Sequence, residues 1–390
     1  MQRVMALTLS LLASGLILAM TLHPALARGS KVRLVRTPNG GIQPQAVVDD
    51  KGTLHLIYFA GDPSAGDVFY VRKRPGEAGF SAPIRVNSQP GSVIALGTIR
   101  GAQLAVGRNG RVHVSWMGSK IAEPRGPSRA TPMLYARLND QKTAFEPQRN
   151  VMQLGVGLDG GGSVAADDEG NVYVAWHGRG NVEGEAHRRV WLARSTDEGV
   201  TFSREIAVNG ETTGACGCCG MRAYTDRRRN VYLFYRTAAQ GVHRDMELLI
   251  SKDRGKRFEA ARLDGWEIEA CPMSTASIGE GDGGVIAAWE TAGQVYFVEA
   301  DQGTGKVGFS VAAPGVGGGR KHPVVVYNRR GETLLVWAEG TGWKRGGAVG
   351  WQVFNDQGKP AESHGQADGL PVWSLPAACV DSRGNFTIIY

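Results

Sequence analysis

Four of the five cysteines of this 390-residue chain fall in two short segments, Cys216-Gly217-Cys218-Cys219-Gly220-Met221-Arg222 and Cys271-Pro272-Met273. Two chemistries suit them. In an oxidising compartment neighbouring thiols form disulfides. A Cys216–Cys271 or Cys219–Cys271 bridge would close a loop of about 53 to 56 residues and stabilise the fold by roughly 4 kcal/mol. Left as thiolates, Cys216, Cys218, Cys219 and Cys271 are soft ligands. With the thioether of Met273 and a histidine from His177 or His243 they would favour copper(I), or zinc in a Cys/His set. The C-x-C-C spacing is not one of the usual zinc patterns. Gly217 and Gly220 would let the backbone curl so that several sulfurs converge. The fifth cysteine, Cys379, lies in the apolar run Ala377-Ala378-Cys379-Val380 and reads as a small buried hydrophobe.

The elements that must position these groups announce themselves as a repeat. An acidic or polar turn followed by an apolar run ending in an aromatic residue occurs seven times. The clearest copies are Asp49-Asp50-Lys51-Gly52 into Leu54 to Tyr58, Gly107-Arg108-Asn109-Gly110 into Val112 to Trp116, and Asp167-Asp168-Glu169-Gly170 into Val172 to Trp176. Weaker copies run from Asp226 to Tyr235, Glu280 to Trp289, Asn328 to Trp337 and Asp381 to Tyr390. A spacing of about 48 to 60 residues with several short strands per unit predicts an all-β propeller of four-stranded blades. In the first unit the strands are Gln45 to Val48, Thr53 to Tyr58, Asp67 to Val71 and Ala82 to Val86. The last unit has two strands only. Val32-Arg33-Leu34-Val35-Arg36 resembles an outer strand and would complete it, closing seven blades and removing the open sheet edges.

Composition agrees with this picture. The chain is 42% hydrophobic and 21% charged with 55 glycines, which suits a packed core and many tight turns and excludes a disordered chain. Residues 1–27 read as a secretory signal: Arg3, an apolar stretch from Leu7 to Leu22, and a small-residue cleavage site at Ala25-Leu26-Ala27. Residues 28–390 would then be a single exported domain, periplasmic or extracellular, with no later membrane span and expected as a monomer. The net charge of +7 is scattered. The run Arg227-Arg228-Arg229 occupies a repeat turn and reads as a solvated hairpin tip, and nucleic acid is not an expected partner. His55 and His113 hold equivalent strand positions, as do Trp116, Trp176, Trp289 and Trp337, so packing accounts for both sets.

Two segments carry a family resemblance. Ser195-Thr196-Asp197-Glu198-Gly199-Val200-Thr201-Phe202 and Ser251-Lys252-Asp253-Arg254-Gly255-Lys256-Arg257-Phe258 both fit S-x-D-x-G-x-x-aromatic, one blade apart. They resemble the Asp box of the sialidase-like (BNR-repeat) propellers, in which the Asp accepts turn N–H groups, the Gly takes a positive φ and the ring packs beneath. Catalytic sialidases of that family also carry an Arg-Ile-Pro segment, which is missing here, and usually have six blades.

The resemblance implies that Asp-box turns occupy one face and ligands the other. The opposite face would collect Arg100, Asp159, the cysteine loops, Arg222, Lys321, His177, Arg236, His243, Arg244, Glu290, Glu339 and Trp343. Three functions fit. A glycan or another exported ligand would be held by Arg100, Arg222, Arg236, Arg244, His177, His243 and Trp343. A sialidase-like exo-acting glycoside hydrolase would take its acid and base from Asp159, Glu290 and Glu339. A soft-metal or redox protein would use copper or zinc at the cysteine loops. Arg222, Arg236 and Arg244 could clamp an anion together, or pair with Asp245, Glu211 or Asp226.

Overall fold

Each copy of the repeat folds as an antiparallel meander, and seven such sheets stand around one axis. The computed structural model describes residues 30–301 and 304–390, so the expected signal sequence lies outside the described residues. Blades 1 to 6 span residues 42–85, 103–150, 162–207, 222–264, 277–312 and 320–370, each with four strands. In blade 1 the strands are Ile42–Val48, Leu54–Asp62, Ala65–Lys73 and Ile84–Arg85, longer than expected in the middle and shorter at the rim. The first strands of successive blades touch one another in a closed circle, so they line the axis. Small residues such as those of Gly162–Ala166 and Ala377–Val380 fit that crowded position.

Blade 7 is built from both ends of the described chain. Ala377–Val380 and Phe386–Ile389 pair antiparallel, and Val32–Val35 adds to the latter with Val32 opposite Phe386 and Val35 opposite Ile389. The added strand runs parallel, where the third strand of other blades runs antiparallel, and this blade has three strands. Thr37 N–H donates to the Tyr390 carbonyl at 2.8 Å and Tyr390 N–H to Val35 at 3.0 Å, so the seam is fully hydrogen-bonded. The ring count of seven stands, with the closing blade formed by strands from both ends of the described chain.

The core lies between blades. Trp116, Trp176 and Trp289 are buried there, as expected of a residue that recurs with the fold. His55 and His113 are packing residues too, each bonding a tyrosine hydroxyl on the next strand, Tyr70 and Tyr135, at 2.7 Å. At one end of the axis the repeat has a local cause. Asp49, Asp167, Asp226, Asn328 and Asp381 each use one side-chain oxygen to accept the N–H groups two and four residues on, at 2.8–3.0 Å. The two S-x-D-x-G turns lie at the same end. Gly199 and Gly255 have φ of 78° and 75°, and their N–H groups donate to Ser195 and Ser251 at 2.8 Å. Asp197 and Asp253 accept from Thr201 and Arg257 at 2.9 Å, and Phe202 packs edge-on against Tyr135 of the preceding blade. Phe258 packs into the next core cluster. Among the described residues no helix is long and apolar enough to cross a membrane.

Candidate functional site

The other end of the axis carries the cysteine loop, held by three blades at once. Cys216 N–H donates to the Arg236 carbonyl of its own blade at 2.9 Å, and Gly220 N–H to the Ser274 carbonyl of blade 5 at 3.0 Å. From blade 3, Glu185 accepts the Gly217 N–H at 2.8 Å and His177 Nε2 meets the Cys219 carbonyl at 3.0 Å. Neither Gly217 nor Gly220 has a positive φ. They are glycines because neighbours come close: a Cβ on Gly220 would lie 2.9 Å from Thr275, and one on Gly217 3.1 Å from Arg188.

This grip gathers the sulfurs. Cys216 Sγ is 3.4 Å from both Cys218 Sγ and Cys219 Sγ, and all three lie within 4.8 Å of one another. Cys218 Sγ, Cys271 Sγ and a Glu185 carboxylate oxygen form a second such group. All five cysteines are unbonded, so no bridge joins Cys216 or Cys219 to Cys271. No histidine nitrogen belongs to either group: His177 faces a carbonyl, and the imidazole of His243 makes no hydrogen bond among the described residues. Burial opposes ionisation of Cys219, but thiol hydrogen bonds from Cys216 and Cys218 and the Arg236 guanidinium bring its pKa well below the ordinary value. The same bonds from Cys216 and Cys219 push Cys218 up. Cys379 is buried far into its strand, and burial raises its thiol to about 12.

Two arginines back the sulfurs. Arg244 is buried and reaches Glu185 Oε2 at 2.8 Å through Nη2, while its Nε and Nη1 have no hydrogen-bond partner. Arg236 is buried, donates to the Arg244 carbonyl at 2.7 Å and to the Glu290 carbonyl, and lies 5.2 Å over the Trp266 ring. The alternative pairings expected for these arginines are taken by others: Asp245 by Arg262, Glu211 by Arg189, and Asp226 by its own turn. Among the described residues Arg222 has no carboxylate partner, and burial lowers its pKa to about 10.

The three candidate carboxylates are separately engaged. Asp159 pairs with Arg100 at 2.7 Å. Glu290 is 2% exposed, accepts the Gly293 N–H at 2.7 Å and stands 3.9 Å from Arg236, and burial raises its pKa. Glu339 accepts the Trp337 indole N–H at 3.1 Å and lies 3.9 Å from Arg320.

Beside the cysteine loop a pocket of about 80 Å³ opens at the axis, lined by Met273, Lys321, His322, Trp343, Arg345 and Trp373 among others. Trp343 is 62% exposed and meets Trp373 edge-on with centroids 4.6 Å apart. Met273, grouped with the cysteines in the sequence reading, lines this pocket. Trp373 and Arg345 were missed. A signal for Trp373 existed: it takes the same place before its inner strand as Met273, each with left-handed φ (63° and 50°) and each followed by a serine. Those serines, Ser374 and Ser274, accept the N–H of Gln43 and His322 in the next blade at 3.2 and 3.3 Å. A larger cleft of about 180 Å³ lies at the turn end between blades 1 and 2, lined by Lys51, Arg72, Arg74 and Lys142 and away from the cysteines.

No protein-family model matches the chain, and no curated protein sequence matches it. Solved structures do. A GH93 α-L-arabinofuranosidase of Fusarium graminearum, solved with arabinobiose, is 12% identical with a TM-score of 0.54, over 84% of this chain and 98% of that one. The NanB sialidase of Streptococcus pneumoniae is 9% identical, TM-score 0.50, over 87% and 70%. A Trypanosoma rangeli sialidase is 14% identical, TM-score 0.51, over 80% and 56%. The fold is thus that of the sialidase-like propellers.

Proposed function

We propose that this chain is an exported glycan-binding propeller whose ligand lies against Trp343 and Trp373 at the loop end of the axis. One observation carries the reading: a mostly exposed indole stands beside a small axial pocket with Lys321 and Arg345 on its wall. An indole face suits the apolar face of a sugar ring, and the cationic wall favours a carboxylated sugar. The similarly folded arabinofuranosidase and sialidases act on sugars, which supports the ligand class. Binding is favoured over hydrolysis because Asp159 is bonded to Arg100 and Glu339 to the Trp337 indole, while Glu290 is buried and accepts a backbone N–H. A glycosidase needs two carboxylates facing one bond, roughly 5 to 9.5 Å apart.

Indole fluorescence titrated with acidic and neutral oligosaccharides tests this. Saturable quenching by an acidic sugar that is lost in Trp343→Ala, with no release of fluorophore from sialosides or arabinosides, is the expected result. Turnover that disappears in Glu290→Gln or Glu339→Gln would replace it with the hydrolase reading. No binding at millimolar sugar would end it.

A further inference from the structure

The cysteine cluster lies outside that sugar site and has its own chemistry. Three sulfurs already converge, two pairs at 3.4 Å. Three sulfurs about 2.3 Å from one ion stand roughly 4 Å apart, so the two closer pairs need to open by about half an ångström. The donor set is sulfur alone, since no histidine nitrogen joins it. Soft thiolates select soft cations. Copper(I) is satisfied by three of them, whereas zinc in a closed protein site takes four ligands.

Charge points the same way. Cys216 and Cys219 are buried, and a buried anion needs a fixed partner. Arg244 is fixed beside the loop through Glu185, which takes its Nη2 at 2.8 Å and the Gly217 N–H at 2.8 Å. Arg244 also has two buried N–H groups, Nε and Nη1, with no acceptor among the described residues. The guanidiniums offset part of the thiolate charge, Arg244 being shared with Glu185 at 2.8 Å.

There is also a way in. Cys271 is exposed, and its sulfur lies within 4.8 Å of Cys218 Sγ and of the Glu185 carboxylate. We propose that Cys216, Cys218 and Cys219 bind one copper(I) ion, and that Cys271 at the surface exchanges it with solvent or a donor by way of Cys218. Ligand exchange of this kind moves the ion without changing its oxidation state. Each thiol gives its proton to solvent as the metal binds.

The test uses the full mature chain, reduced and kept free of oxygen, titrated with copper(I) against a chromogenic copper(I) chelator. One ion per chain should be retained, with a thiolate-to-copper charge-transfer band in the ultraviolet. Alkylation mapped by mass spectrometry should find Cys216, Cys218 and Cys219 protected by the ion, which needs no variant and so does not depend on how one folds. The triple change of these residues to serine should weaken retention at least about 100-fold. Cys271→Ser should keep the stoichiometry and slow transfer to the chelator about 10-fold. Complete loss of copper to the chelator, protection at other residues, or displacement of copper(I) by equimolar zinc would overturn the site. An unchanged transfer rate in Cys271→Ser would overturn the exchange route.

Discussion

The two ends of the propeller axis are built by different rules. At the turn end the same device recurs: a carboxylate or amide oxygen closes a turn, and the turn reaches the preceding blade. Arg229 pairs with Asp168 at 2.8 Å, Arg254 with Glu169 at 2.8 Å, and the Glu198 carbonyl accepts from Arg137 at 2.9 Å. At the loop end the chemical side chains differ from blade to blade. One gives three cysteines, another a histidine, others tryptophans. Repetition at one end fixes the ring, which leaves the other end free to differ from blade to blade. Substitutions at the turn end should therefore cost stability, and those at the loop end should cost binding.

The sharpest break should come at Gly199, where φ is 78° and a Cβ would overlap the Tyr135 hydroxyl. Gly199→Ala is expected to lose about 3 kcal/mol or more of unfolding free energy, because Tyr135 is buried and tied to His113. A change under about 1 kcal/mol in a denaturant titration would mean the turn yields, and that this end is not the rigid one.

Acid should act on both ends together. Burial holds His113, near the turns, and His322, at the loop end, to about 3. Their folded pKa is depressed below the unfolded value of about 6.5, so the unfolded chain takes protons that the folded one refuses. Stability is therefore complete above about pH 6.5 and falls as pH drops toward 3, by about 1.4 kcal/mol per pH unit for each histidine. Equal flattening of that slope by His113→Gln and His322→Gln is expected. A flat profile between pH 6.5 and 5 would contradict it.

Removing one turn acceptor should cost less. Asp167→Ala strands the N–H groups of Glu169 and Asn171, with an expected loss of about 1 to 2 kcal/mol and sugar binding unchanged. Smallest in stability is Trp343→Ala, within about 0.5 kcal/mol because the ring is mostly exposed. It should nonetheless weaken sugar binding about 10-fold or more, as loss of a stacking platform does. If Trp343→Ala melted early and Asp167→Ala lowered affinity, the division between the ends would fail.

The same division explains what was legible in the sequence. Asp49, Asp167, Asp226, Asn328 and Asp381 act on N–H groups two and four residues away, so the chain order itself states their role. Ring closure was readable from Val32 to Arg36 for a similar reason, since a lone outer-type strand must pair somewhere. The parallel sense of that pairing was not, because strand composition carries no direction. At the loop end the partnerships that build the site cross blades. Glu185 meets Gly217 and Arg244 across a separation of 32 or more residues, and Arg100 meets Asp159 across 59. Residue types marked that end as chemical, but which carboxylate meets which arginine depends on loop shapes that no local pattern encodes.

The seam of blade 7 also sets an order in time. Among the described residues Val32–Val35 pairs with Phe386–Ile389 alone, some 354 residues away. Contacts of such separation form late, because closing the long intervening chain costs entropy before any contact rewards it. While six blades assemble, an apolar strand and the sheet edge meant for it both stand uncovered, the two surfaces through which unfinished sheets associate with other chains. A strand made early thus spends the whole of folding waiting for one made late, and the latch is both the last step of assembly and the first place an unfinished molecule is exposed to its neighbours.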